Sequence, residues 1–185
     1  HKKVWWQCKY GHEWQSPIKS RMIQVLNCPQ CKPKTSLMEL RVYTELKWLF
    51  ENVEFQNKKH GVECDVYVPE LKLAVEIDGF FWHRNKRAKD INKNLILDKQ
   101  GIKLIRLRES LPSISEFDIV YKYQDKHITV IKKLLKNILV LKVCSSEMER
   151  LIREYLALGK LKNDQEFIQL WNHLPAPLIG TSLQE

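Results

Sequence analysis

What is missing narrows the field first. No apolar run in the 185 residues is long enough to cross a bilayer, and the opening residues carry no signal-peptide core. Cysteine is sparse and odd in number: Cys8, Cys28, Cys31, Cys64 and Cys144. Such a set, with one tight Cys-x-x-Cys, argues against a secreted disulfide framework and for a reducing, cytoplasmic compartment. Acidic residues are nearly absent from two zones. Residues 1–34 hold seven Lys or Arg against Glu13 alone, and residues 84–108 hold nine against Asp90 and Asp98. The net charge of +9 is concentrated there, and the rest of the chain is net acidic. Two basic zones suit a polyanion such as nucleic acid, whose counterions are released on binding; a merely solvated surface has the same composition.

The length allows one core plus a small appendage. The chain opens on His1 rather than Met, which leads to the expectation of a piece of something longer.

Cys8-x3-His12 is followed after fifteen residues by Cys28-Pro29-Gln30-Cys31. Zinc takes four N or S ligands in a tetrahedron, and two short chelating loops supply them in pairs. A segment this small buries too little apolar surface to fold alone, so the metal would supply the folding energy. With all four positions filled by protein, the zinc would be structural. A redox Cys-x-x-Cys is the alternative, but no βαβ pattern surrounds it. The stretch resembles a family of zinc-ribbon modules found in tandem arrays. The resemblance lies in Val4-Trp5-Trp6-Gln7-Cys8, Gly11-His12-Glu13-Trp14, Arg21 and Cys28-Pro29-Gln30-Cys31. The tail from Gly180 to Glu185 looks like the lead-in to another such module.

Beyond a linker at 32–35, residues 36–50 read as a helix, with Leu37, Leu40, Tyr43, Leu46 and Leu49 every three residues and Ser36-x-x-Glu39 fitting a capping box. Two alternating strands follow at 62–68 and 73–78, joined by Pro69-Glu70-Leu71-Lys72, and residues 53–58 are a candidate third. In the first strand Val62, Cys64, Val66 and Val68 are expected on one face, with Glu63, Asp65 and Tyr67 on the other. Folded as a hairpin with Val68 opposite Leu73, the pair sets Asp65 against Glu76 and Glu63 against Asp78. Like charges so opposed destabilise a sheet unless a cation sits among them or the face is wet, and an all-oxygen site suits magnesium. Asp65 and Glu76, with Asp78 less secure, are the candidate magnesium ligands.

Gly79 ends the strand, and the aromatic run Phe80-Phe81-Trp82 is unlike a set buried together in one core. A basic helix over 86–100 ends at Gly101, and a strand over 102–108 makes Lys103, Arg106 and Arg108 available. The order helix–strand–strand–strand–helix–strand predicts an α/β domain with a mixed sheet flanked by helices. Further helices are expected over 126–140, 146–158 and 164–171. His60, His127 and His173 read as ordinary surface residues.

These residues resemble the very-short-patch mismatch-repair endonucleases and related phage homing endonucleases, within the restriction-endonuclease-like superfamily. The resemblance covers about residues 36–110 and is carried by Glu63-Cys64-Asp65-Val66-Tyr67, Glu76-Ile77-Asp78-Gly79-Phe80-Phe81-Trp82-His83, Asp90 and the strand from Gly101 to Glu109. The homing branch has an ordered Glu, Asp, x, His, Asp set, matched here by Glu39, Asp65, His83 and Asp90. The resemblance implies a magnesium-dependent endodeoxyribonuclease of prokaryotic or phage origin. Asp65 would be the principal metal ligand, Glu39 would stand at its edge, His83 would be general base and Asp90 would orient it. Phe81 and Trp82 would wedge between base pairs of double-stranded DNA, while Arg84, Lys86, Arg87 and Lys89 hold phosphates. One departure stands out: the superfamily's Glu-x-Lys is here Glu76-Ile77-Asp78, so proton transfer would fall to His83. The expected layout is a zinc knuckle at 1–34, an endonuclease-like domain at 35–142, a helical segment at 143–174 and a linker at 175–185. Two rivals remain open: a DNA-binding module whose nuclease chemistry has lapsed, and a zinc-organised interaction scaffold.

Overall fold

The computed structural model describes residues 3–7, 11–18, 35–58 and 60–173. The chain divides into two compact units, His1–Ser36 with Ile168–Glu185, and Leu37–Phe167. Among the described residues no helix is long and apolar enough to cross a membrane.

In the first unit, β1 (Lys3–Gln7) and β2 (Glu13–Pro17) form an antiparallel hairpin with Trp6 opposite Trp14. Alternation puts successive side chains on opposite faces. Trp6 is accordingly buried, its indole N–H donating to the Ser16 carbonyl at 3.1 Å, while Trp5 is exposed. Of the expected zinc ligands only His12 is described; Cys8, Cys28 and Cys31 lie outside the described residues, as does the segment 175–185.

The second unit holds a five-stranded mixed sheet in the order β3-β4-β5-β6-β7. Its strands are β3 (Glu54–Asn57), β4 (Cys64–Val68), β5 (Leu73–Asp78), β6 (Lys103–Glu109) and β7 (Ile119–Tyr121). The first three pair antiparallel and the last three parallel. Helix α1 (Leu37–Leu49) precedes the sheet. A single turn α2 (Phe80–His83) and α3 (Arg87–Asp98) cross from β5 to β6, and α4 (His127–Val140), α5 (Ser146–Leu158) and α6 (Asp164–His173) follow β7.

Both faces of the sheet are covered. Val66, Leu73, Val75, Ile105 and Leu107 pack with Val42 and Leu46 of α1, Ile131 and Leu134 of α4, and Ile152 and Tyr155 of α5. On the other face Cys64, Tyr67 and Ala74 meet Leu97 of α3 and Ile102. Because Ile152 and Tyr155 share the main core, residues 143–167 are continuous with the unit expected at 35–142.

Three expectations are corrected. The buried surface of α1 is wider than the expected stripe: Leu40, Leu46 and Leu49 are buried and Tyr43 partly so, but Leu37 is exposed, and Met38, Arg41, Val42 and Glu45 are buried as well. A helix drifts off a three-residue repeat, and this one is covered on more than one side. Glu45 anchors the second cover. Its Oε1 accepts from Arg41 Nη1 at 3.0 Å and the Asn163 amide at 3.2 Å, and its Oε2 from the Tyr155 hydroxyl at 2.6 Å and the Lys162 amide at 2.9 Å. Second, Cys64 lies on the α3 side while Val66 lies on the other, so alternation breaks at Asp65. Opposite the break, Gln56 adopts φ +50°, a backbone distortion that interrupts pairing between Phe55↔Val66 and Asn57↔Cys64. Third, Arg106 and Arg108 are not available to an outside partner: both are fully buried, because α3 and the loop after β6 close over them.

Candidate active site

The site grows from the open end of the β4–β5 hairpin. Val68 pairs with Leu73, Tyr67 with Ala74 and Val66 with Val75, the expected register. One step further Asp65 meets Glu76, and there the side chains replace the backbone ladder. Glu76 Oε1 accepts the Asp65 amide at 3.2 Å, and Asp65 Oδ2 accepts the Ile77 amide at 2.7 Å. The two strands part around a pair of carboxylates.

A third carboxylate comes from α1. Glu39 is half-buried on its first turn, and its negative charge acts directly on Asp65. Burial first, and the Glu39 charge next, push the Asp65 carboxyl up to about 7. Burial and the neighbouring Asp65 charge push Glu76 up to about 7 as well, although Lys93 and Arg106 oppose it. Like charges held together in low dielectric favour a shared proton or a bound cation. The donors are all oxygen, which fits magnesium or manganese.

Asp78 does not belong to this group. It is fully buried, and Arg106 Nη1 donates to its Oδ1 at 2.9 Å and Oδ2 at 3.0 Å, with Arg108 Nη1 on Oδ2 at 2.5 Å. Two guanidinium groups thus surround Asp78, the less secure of the expected magnesium ligands. The expected opposition of Glu63 and Asp78 also fails: Glu63 is exposed and pairs with Lys58 at 3.4 Å.

Next to Asp78 stands His83. Gly79 leaves β5 in an extended conformation, and the turn α2 carries the imidazole back over the strand end. His83 Nδ1 lies 3.1 Å from Asp90 Oδ1 and 3.3 Å from Asp78 Oδ1. Carboxylates accept only, so they hold the proton on Nδ1 and leave the Nε2 lone pair to receive another. Asp78, His83 and Asp90 also present ligand atoms within 4.8 Å of one another. A cation there would compete with Arg106 and Arg108, as one at Glu76 would compete with Lys93 and Arg106.

Helix α3 serves both halves of the site. Asp90, Lys93, Asn94 and Leu97 follow i, i+3, i+4, i+7 and so share one face. Asp90 faces His83, Asn94 Oδ1 accepts Arg106 Nε at 2.9 Å, and Leu97 fills the core. Lys93 Nζ lies 2.5 Å from Glu76 Oε2. Sequence reasoning passed over Lys93, since a lysine in a basic helix looks solvated. The signal was the inward spacing of Asp90, Lys93 and Asn94 with Leu97.

The remaining expected residues are exposed. Phe81 is 77% exposed and Trp82 64%, with Phe80 edge-on to Phe81. Arg84, Lys86, Arg87 and Lys89 are all exposed, and Arg87 reaches the Ser113 carbonyl at 3.4 Å.

Among curated proteins and among solved structures, nothing matches the chain. Residues 1–34 match a family described as a "Probable Treble clef zinc finger domain". The match agrees with the zinc expected from Cys8, His12, Cys28 and Cys31, under a treble clef description in place of a ribbon. By this match the N-terminal segment is similar to treble clef zinc fingers.

Proposed function

We propose that the unit Leu37–Phe167 is a metal-dependent endonuclease of restriction-endonuclease-like type that hydrolyses phosphodiester bonds in double-stranded DNA. The observation that carries this reading is the adjacency of an oxygen-donor carboxylate group and a carboxylate-oriented histidine. Arg106 links them, since its Nη1 lies 3.9 Å from Glu76 Oε2 and 2.9 Å from Asp78 Oδ1, and Asp78 touches His83.

Asp65 and Glu76 would hold the magnesium ion, with Glu39 at its edge. When bound, the ion supplies Lewis-acid polarisation of the phosphoryl oxygen. His83 Nε2 takes a proton from the attacking water as the new P–O bond forms and the ester P–O bond breaks; the leaving oxygen takes a proton from solvent. Asp90 and Asp78 fix the imidazole's orientation and offset the positive charge it acquires. Arg84, Lys86, Arg87 and Lys89 bind phosphates along the duplex, and Phe81 and Trp82 meet the bases. Cys8, His12, Cys28 and Cys31 hold a structural zinc, a donor set of thiolates and imidazole that suits that metal.

A plasmid-nicking assay with magnesium tests the reading. Wild type is expected to nick and His83→Ala to lose nearly all activity. Equal inertness of the two would sink the enzyme, and tight, salt-sensitive duplex binding by that inert protein would mark a DNA-binding module without catalysis.

A further inference from the structure

We propose, resting on the endonuclease reading above, that Lys93 is a catalytic residue: its ammonium neutralises the negative charge that builds on the attacked phosphate. The strand position two residues beyond Glu76 points to the same face as Glu76 and would be the simplest place for such a cation. Here that position is Asp78, and the two arginines around it are consumed by it. The face is served from the opposite layer instead. Lys93 projects from the inner side of α3 and brings Nζ to 2.5 Å from Glu76 Oε2.

Three features distinguish it from a surface ion pair. Its side chain is only 19% exposed, and that of Glu76 is 5%. Its helix is pinned on both flanks of the residue, through the Asp90 carbonyl and Asn94, both bound to Arg106 at 3.1 and 2.9 Å. And it points into the group formed by Asp65 and Glu76, beside the His83 base, so a phosphate drawn to that group lies within its reach. In the reaction the water oxygen bonds to phosphorus, the ester bond breaks and His83 receives the proton. Lys93 keeps its proton throughout and acts through charge alone, the kind of preorganised stabilisation that is strongest where water is excluded.

The test uses the full chain, with Lys93→Met and Lys93→Arg beside wild type and Glu76→Gln. Nicking rates are measured together with manganese affinity by calorimetry and with the melting temperature. Lys93→Met is expected to nick about a hundredfold more slowly, the scale of losing one charge-stabilising donor. Lys93→Arg should recover part of the rate. Manganese should bind Lys93→Met at least as tightly as wild type, because a competing cation has left Glu76, whereas Glu76→Gln should bind it more weakly. An active wild type with an equally active Lys93→Met overturns the proposal and leaves the endonuclease standing. Weakened manganese binding in Lys93→Met also overturns it, since the lysine would then be a prop for the carboxylates. A wild type that does not nick fails the endonuclease reading, and the role of Lys93 with it.

Discussion

Arg106 holds Asp78 through a single nitrogen, Nη1, at 2.9 Å from one carboxylate oxygen and 3.0 Å from the other, and neither side chain is exposed. Arg108 completes the cluster on Oδ2. Removing one member of a buried ion pair strands the others. Asp78→Asn is therefore expected to cost about 3 kcal/mol of folding stability, by leaving two buried guanidinium groups without their main counter-charge. Manganese affinity of the folded variant should not fall. Urea denaturation and calorimetry check both, and a stable variant that had lost metal affinity would make Asp78 a metal ligand.

A pH dependence follows from Asp65 and Glu76, raised in the folded protein to about 7 from the ordinary 3.8 and 4.5. Between those limits the folded state binds more protons than the unfolded one. The pair's contribution to stability is thus fully present below the ordinary carboxylate range and is lost as pH rises through about 7. Without metal, wild type should melt several degrees lower at about pH 8 than at about pH 5.5, and Asp65→Asn should flatten the difference. Manganese selects the ionised carboxylates, so its stabilising effect should be larger at the higher pH. A metal effect independent of pH would contradict the assignment of these two residues as ligands.

The reach of the sequence follows from which interactions are local. Strand β5 and helix α5 fall where alternation and helical spacing put them, at Leu73–Asp78 and Ser146–Leu158, and the hairpin register follows from one turn. The meeting of Asp65 with Glu76 was legible for that reason. Arg106 and Arg108 were misread because alternating apolar and basic residues describe a half-wet strand; the acid that buries them, Asp78, lies 28 and 30 residues away. Strand β7 has three residues, Ile119–Tyr121, too few to show a period. The face switch at Cys64 coincides with a positive φ at Gln56 of the neighbouring strand, which no pattern within β4 encodes.

Glu45 gives a prediction away from the site. Its two oxygens accept four donors, from Arg41, Tyr155 and the amides of Lys162 and Asn163. This fully buried carboxylate ties α1 to α5 and to the entry of α6. Glu45→Gln turns an acceptor into a donor against donors, and should cost about 3 kcal/mol. Tyr155→Phe removes one of the four bonds and should cost about 1 kcal/mol. Chemical denaturation measures both. Equal losses would mean that the tyrosine bond, rather than the whole cage, carries the anchor.

Phe81 and Trp82 separate two ways of holding DNA. At 77% and 64% exposure they contribute little to the fold, so the double variant Phe81→Ala, Trp82→Ala should keep wild-type stability to within about 0.5 kcal/mol. Its affinity for a duplex should nonetheless fall about tenfold, since an apolar wedge that no longer inserts leaves the bases untouched. Neutralising Arg84 or Lys89 should act differently. Removing one phosphate-binding cation makes the dependence of log affinity on log salt shallower by about 1, whereas removing the aromatics leaves that slope unchanged. Binding isotherms at several salt concentrations distinguish the two. If the aromatic variant binds duplex as tightly as wild type, the exposed run does not meet bases; if its salt slope falls, these side chains act by positioning the neighbouring basic residues rather than by insertion.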